Sequence, residues 1–337
     1  MGASSDFGRP WVSVLVRPSV LGLVVITTAI IAIGRGAVAL SPMRVIEAIF
    51  GRADERDTAI VWTIRLPRVL LAMLVGAALS GSGAILQGIA RNPLADPALI
   101  GISGGAAVGA ILSLMLGLHA MWALPLAAFA GAQLAVIAAL ALSRSEGRIS
   151  ATTLLIGGIG LAAFASAAMG MLLYLADDSV LRSMTFWTLG SVGGATWVLV
   201  GAVAIALAIA AAIIVPITRD LDRLQLGELE ARHVGVDVDR ILHRATFAVS
   251  LAVGAAVATC GVIGFVGLIV PYLARSAVGP ATATLLPIAA LGGALLLVIA
   301  DLVARTCIPP TEVPIGVLTS ALGAPVLLAI VRRGAFA

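Results

Sequence analysis

Three arginines at the ends of apolar runs carry the first chemical signal in this 337-residue chain: Arg65 and Arg68 in the run RLPR, and Arg305 in DLVART. A guanidinium presents a rigid fork of donors that can hold a carboxylate by two parallel hydrogen bonds, which suits recognition of an acidic group. Snorkelling of a long cationic side chain from a helix end explains the same placement. Pro67 fixes the chain at the head of the following run, and Asp301, four residues before Arg305, is spaced to orient it. Asp96, in RNPLADP, reads as the polar centre of a tight turn, accepting backbone N–H groups rather than handling protons. His119, His233 and His243 fall in loops or at their edges, and Cys260 and Cys307 have neither metal spacing nor a CxxC pattern. No metal site and no permanently bound cofactor are expected.

The elements that must position these groups are membrane spans. Hydrophobic residues make up 61% of the chain and charged residues 11%, with a mean hydropathy of +1.13, a composition that excludes an ordinary soluble domain. The net charge of +4 comes from arginine alone, because the sequence holds no lysine. A Walker A loop needs its lysine to reach nucleotide phosphates, so any ATP that drives this chain is bound by another. Runs of about 20 apolar residues suffice to span a bilayer. Candidates lie at 19–40, 66–89, 98–117, 122–143, 150–175, 192–217, 241–260, 263–278, 283–304 and 313–331. The expected fold is an all-α polytopic bundle of about ten spans in one transmembrane domain, 1–337, with a cytoplasmic N-terminal segment at 1–18.

Arginine placement orients the bundle. With the N-terminus inside, cytoplasmic segments hold thirteen arginines, among them Arg9, Arg91, Arg144, Arg148, Arg219, Arg223, Arg232, Arg240, Arg244, Arg275 and Arg333. The outer side holds eight, including Arg65, Arg68, Arg182 and Arg305. Both termini are therefore expected in the cytoplasm. Trp62, Trp122, Trp187 and Trp197 fall at outer span ends and Trp11 at an inner one, as interfacial anchors do. Val75-Gly-Ala-Ala recurs as Val253-Gly-Ala-Ala, with Gly83 and Ile85 matched by Gly261 and Ile263 at the same offset of 178 residues. Inverted halves of a transporter would give such a repeat, and so would chance recurrence among small residues. The longest cytoplasmic segment, 218–244, concentrates charge. Within it Gly227 and Gly235 bracket GELEARHVG, which suggests a short helix lying on the membrane surface or a plain solvated loop.

Four motifs carry a family resemblance. RLPRVLLAMLVGAALSGSGAILQGIARNPLADPALIGISGG, LGELEARHVGV, GFVGLIVPYLAR and PIGVLTSALGAPVL together resemble the FecCD-type permeases, the membrane subunits of ATP-driven importers for iron-siderophores, haem and cobalamin. The resemblance covers about Arg65 to Arg333. It departs from the family's pattern at Tyr272, where a histidine is usual, so a titratable role there is in doubt.

The resemblance implies a homodimeric type II importer permease with inverted-repeat halves in a bacterial inner membrane. Two copies of a separate ATP-binding subunit power alternating access, and a periplasmic haem-binding protein feeds it. Leu226, Gly227, Ala231, Val234 and Gly235 hold the positions that dock into the ATPase subunit. Arg65, Arg68 and Arg305 hold those that pair with glutamates of the binding protein. The fifth span lines the pathway in the family, which points to Thr152, Thr153 and Ser166, although helix hydroxyls commonly bond their own backbone. The run LRSMTFWTLGS resembles the haem-importing branch, where Arg182 would meet a propionate of haem as transported substrate, or else pair with Asp177 or Asp178. A ferric-siderophore or cobalamin permease is the alternative within the class. An ion-coupled secondary transporter would place charges in mid-membrane, and a membrane enzyme would gather a His/Glu or Ser/His constellation. The chain offers neither, and no nucleic-acid partner is expected.

Overall fold

The structure, a computed structural model, describes residues 17–332 apart from 37, 119, 146, 147, 309 and 310. Arg9, Trp11, His119, Arg333 and most of the 1–18 segment lie outside the described residues. The first membrane helix, α1, spans Pro18–Gly34. Two short helices follow, α2 (Pro42–Ile49) and α3 (Glu55–Ala59). A π-helical stretch, Ile60–Arg65, joins α3 without a break to α4, Leu66–Ala90. After a 3-10 turn at Pro97–Ile100 come α5 (Ile102–Met115) and α6 (Ala123–Leu142). A two-residue hairpin pairs Arg144–Ser145 (β1) with Arg148–Ile149 (β2) ahead of α7, Ala151–Leu175. Then follow α8 (Asp178–Thr188), α9 (Trp197–Ile214), α10 (Thr218–Leu224) and α11 (Glu228–His233). The chain closes with α12 (Val238–Cys260), α13 (Val266–Val278), α14 (Thr282–Thr306) and α15 (Ile315–Arg332).

The chain is an all-helical polytopic membrane protein. Among the described residues, six helical runs are long and apolar enough to cross a bilayer, and α1, α5, α13 and α15 are shorter apolar helices. Burial sorts them. Of the most apolar window, 72% is buried in α4 and 78% in α12, against 17% in α7, so α4 and α12 form the centre and α7 the periphery. The Val-Gly-Ala-Ala repeats thus lie in the two most enclosed helices.

Lipid offers no hydrophobic drive to bring helices together, so their packing depends on close backbone contact. Gly83 of α4 lies directly against the Gly267 carbonyl of α13, and Gly76 faces Gly293 of α14 in the same way. A Cβ at either α4 position would overlap the opposing main chain. Gly267 of GFVGLIVPYLAR and Gly76 and Gly83 of the first motif are therefore packing devices. In the last motif, Ile315 and Gly316 donate their N–H groups to the Gly190 and Leu189 carbonyls (3.1 Å each), tying the head of α15 to the end of α8.

Several expected boundaries are corrected. The span expected at 19–40 ends at Gly34, because the last carbonyls of α1 are taken by arginine side chains and the chain turns back to bond Leu40 N–H to Gly34 O (2.9 Å). The span expected at 98–117 begins only at Ile102, after Gly101 adopts a left-handed φ of 82°. That expected at 192–217 begins at Trp197, capped by Thr196. The one expected from 241 begins at Val238, where Asp237 accepts the Arg240 N–H, so the charged segment 218–244 includes the first turns of α12. The amphipathic helix α8 was not expected at all. Asp177 caps it by accepting the Ser179 and Val180 N–H groups.

Candidate functional site

At the bundle end expected to face outside, Arg68 and Arg305 meet at Asp301, and Arg65 joins Arg305 at the end of α1. The Arg65 and Arg305 forks turn inward, and the Arg68 fork faces the half-exposed Glu312. Arg65 is 7% exposed and donates to the Ile33 (2.7 Å), Gly34 (3.3 Å) and Val38 carbonyls, closing the end of α1. Arg305 donates to the Ala32 and Arg35 carbonyls and lies 3.2 Å from Asp301. Arg68 donates through Nε to Asp301 (2.8 Å) and grips Glu312 through both terminal nitrogens (2.8 and 2.9 Å). Asp301, 1% exposed, thus sits between two guanidiniums. It orients Arg305 as its spacing suggested, and it also bridges to Arg68 on a second helix. Glu312, half-exposed in the loop before α15, is held below the usual carboxylate range by the Arg68 hydrogen bonds. Sequence reasoning missed Glu312, since its loop position carries no periodic signal.

Trp62 and Trp197 meet in a tilted pair, with ring centroids 5.6 Å apart and ring planes at 34°. Each indole N–H is used: Trp197 Nε1 donates to Trp62 O (2.8 Å) and Trp62 Nε1 to Ala48 O (3.1 Å). Nearby on α8, Arg182 is exposed and makes no ion pair with Asp177 or Asp178. The Asp177 carboxyl is lowered chiefly by the Val180 N–H and the Ser179 hydroxyl, with the Arg182 charge a smaller cause.

At the opposite end the charged segment folds into two short helices. Gly227 and Gly235 both adopt positive φ, 133° and 84°, conformations that L side chains rarely take, and they bound α11 as the bracket predicted. Ala231 is fully buried on the inner face of α11, whereas Leu226, Leu229 and Val234 are 71%, 65% and 61% exposed. Large apolar side chains this exposed on an otherwise charged segment form a patch, and such patches mark interaction sites. The segment is anchored on every side. Asp222 accepts the Thr282 N–H (2.8 Å) and hydroxyl at the head of α14, and Gln225 accepts from Arg275 of α13 (3.2 Å). Arg232 pairs with Asp239 at 2.9 Å, which holds the guanidinium above its ordinary value.

The remaining expected residues lie on α7 and in the first polar turn. Thr152 is exposed and Thr153 half-buried at the head of α7. Ser166, exposed in its middle, donates to Ala162 O (2.9 Å), the back-bonding usual for helix hydroxyls. Gly160, Ala163, Ala167 and Gly170 are exposed along one stripe of the same helix. In RNPLADP, Asn92 accepts the Leu94 N–H (2.9 Å) and Asp96 the Ala98 N–H (2.8 Å), so Asp96 does cap a turn. Burial raises the Asp96 carboxyl, and the Ala98 N–H partly offsets this.

The model of the FecCD transport family matches residues 23–333. The hemin transport system permease protein HmuU of Yersinia pestis is 42% identical, over 93% of this chain and 95% of its own length. The vitamin B12 import system permease protein BtuC of Vibrio cholerae is 39% identical, over 84% and 86%. The Fe(3+)-citrate import system permease protein YfmE of Bacillus subtilis is 35% identical, over 96% of each. A solved inward-facing structure of a metal-chelate type ABC transporter superposes with a TM-score of 0.85 at 31% identity, covering 94% of this chain and 98% of that one.

Proposed function

Because the chain belongs to the FecCD transport family, and is thus a permease component of an ABC importer with no ATPase domain of its own, we propose that its cargo is haem. The reading is of a homodimer with ten spans per copy and inverted-repeat halves, both termini cytoplasmic, in the inner membrane of a bacterium. Two ATP-binding subunits dock from the cytoplasm and a periplasmic haem-binding protein from outside.

The observation that carries the ATPase assignment is the exposed triad Leu226, Leu229 and Val234 over the buried Ala231, on a segment bonded to the heads of α7 and α14 and to the last turn of α13. A partner that shields these side chains moves those helices with it. Leu226→Asp combined with Val234→Asp is expected to reduce co-purification of the ATPase subunit by at least about tenfold, the loss typical of hot-spot contacts. Full association of a correctly folded double variant rules the docking surface out.

Haem is supported by the HmuU relative, by LRSMTFWTLGS, and by Arg182, which stands exposed with no salt bridge where a propionate could be received. The α7 stripe Gly160, Ala163, Ala167 and Gly170, flanked by Thr152, Thr153 and Ser166, supports a smooth pathway wall at the dimer axis. A charge-assisted hydrogen bond to a partly desolvated guanidinium is worth about 1.5–3 kcal/mol. Arg182→Ala should therefore slow haem uptake by about tenfold or more in proteoliposomes holding the full transporter. Uptake at the unmodified rate removes the propionate contact. A second reading, cobalamin or ferric-chelate import, is supported by relatives of similar identity. Transport of those cargoes but not haem by the unmodified chain selects it.

A further inference from the structure

The charged segment grips the head of α7 through two carboxylates. Glu228 Oε1, on α11, accepts the Ala151 N–H at 2.9 Å, and Asp239 Oδ1, on α12, accepts the Ile149 N–H at 2.7 Å. These are alternate backbone groups on either side of Ser150. Ser150 is the N-cap residue of α7 but makes no side-chain capping bond of its own. The first N–H of a helix must find an acceptor outside the helix, and a carboxylate suits the positive end of the helix dipole. Here that acceptor arrives from another element. Asp239 also pairs through its second oxygen with Arg232 of α11. Both bonds to the α7 head are part-buried. The contact therefore joins α11, the start of α12, the β1–β2 hairpin and the first turn of α7 into one block.

We propose that Glu228 is a positioning residue for coupling: as a cap supplied in trans, it makes α11 and the head of α7 move as one body. Displacement of α11 by a docked partner then passes directly to Thr152 and Thr153, without slack in the intervening hairpin. The proposal rests on the reading of α11 as the ATPase-docking element. The other anchors of the segment, Asp222 to Thr282 and Gln225 to Arg275, act on α14 and α13 and leave α7 to Glu228 and Asp239.

The test uses the full transporter in liposomes with haem. Glu228→Ala should keep its ATPase subunit and hydrolyse ATP, yet move at least about tenfold less cargo per ATP, the effect of one lost charge-assisted hydrogen bond. Glu228→Gln keeps an oxygen acceptor at the same reach and should restore most of the coupling. A second readout needs no cargo. Spin labels at the exposed positions Glu230 and Thr152, in a Cys307→Ser background that leaves only the buried Cys260 and with unlabelled copies in excess so that one chain per transporter is labelled, report the α11–α7 separation within one chain. That separation should stay narrow and unchanged between nucleotide-free and ATP-bound states in the otherwise unmodified chain, and broaden in Glu228→Ala. Native cargo per ATP with an unchanged distance distribution in Glu228→Ala overturns the proposal. So does loss of the ATPase subunit from that variant, which would put Glu228 in the docking contact itself. Retained association in the Leu226→Asp, Val234→Asp variant overturns the docking reading instead, and the distance measurement stands independently of it.

Discussion

Gly83→Ala is expected to abolish the folded bundle, while Gly81→Ala, two residues away on the same helix, leaves it intact. A Cβ at Gly83 would fall on the carbonyl of Gly267, part of the α13 main chain and unable to rotate aside. Overpacking of a well-filled interior costs about 1–3 kcal/mol even where side chains can adjust, and more where backbone must shift. Position 81 has open space around its Cβ. There, Ala in place of Gly removes a helix-interior penalty of about 0.5–1 kcal/mol and should be neutral or slightly stabilising. Thermal unfolding in detergent, followed by size-exclusion profile, separates the two. Equal melting temperatures for both variants would mean that α4 and α13 do not approach as described.

Arg68→Ala should be the most damaging change among the polar residues. It leaves Asp301, 1% exposed, with Arg305 as its remaining counter-charge at 3.2 Å. Removing one partner of a buried ion pair costs about 3–5 kcal/mol, because the other charge stays desolvated. Glu312→Gln removes the exposed half of the Arg68 network and should cost less than about 1 kcal/mol. The same variant frees the Arg68 fork. If Arg65, Arg68 and Arg305 form the docking rim that the family resemblance implies, the carboxylate of the binding protein must take the place of Glu312, so Glu312→Gln should raise binding-protein affinity. Melting temperature and titration calorimetry check the two parts. A drop in stability for Glu312→Gln as large as for Arg68→Ala would contradict the burial pattern, and unchanged affinity would remove Arg68 from the rim.

What the sequence made legible was set by length and period. The long apolar runs of α4, α6, α7, α12 and α14 could be read from composition alone, to within a few residues. The end of α1 could not, because the apolar residues continue past Gly34 and the helix stops where Arg65 and Arg305 capture its carbonyls. Hydropathy measures transfer to lipid, and it is blind to which polar group arrives from another helix. The same limit hid Glu312, Glu228 and Asp239, which act on groups 77 to 244 residues away or more than one turn off their own helix. The helix α8 was readable in principle, since Asp177 stands where an N-cap belongs, but its mixed composition masked it. Of the candidate site, the glycine bracket at 227 and 235 was readable because positive φ leaves a residue-type signature.

The helical run from Trp197 to Leu224 is 28 residues long but breaks regular α-geometry once: between α9 and α10 lies a 3-10 turn holding Pro216, and Ile217 adopts φ −106° and ψ 8°. The 18 residues of α9 alone, at 1.5 Å each, cover about 27 Å, close to a hydrocarbon core of about 30 Å. The break therefore falls where a span that starts at Trp197 would leave the lipid. Beyond it α10 is tied back to the bundle, with Leu221 and Leu224 buried and Asp222 bonded to Thr282. Leu226, Leu229 and Val234 follow that anchored turn, past the end of the span, so a protein surface rather than acyl chains is expected to shield them.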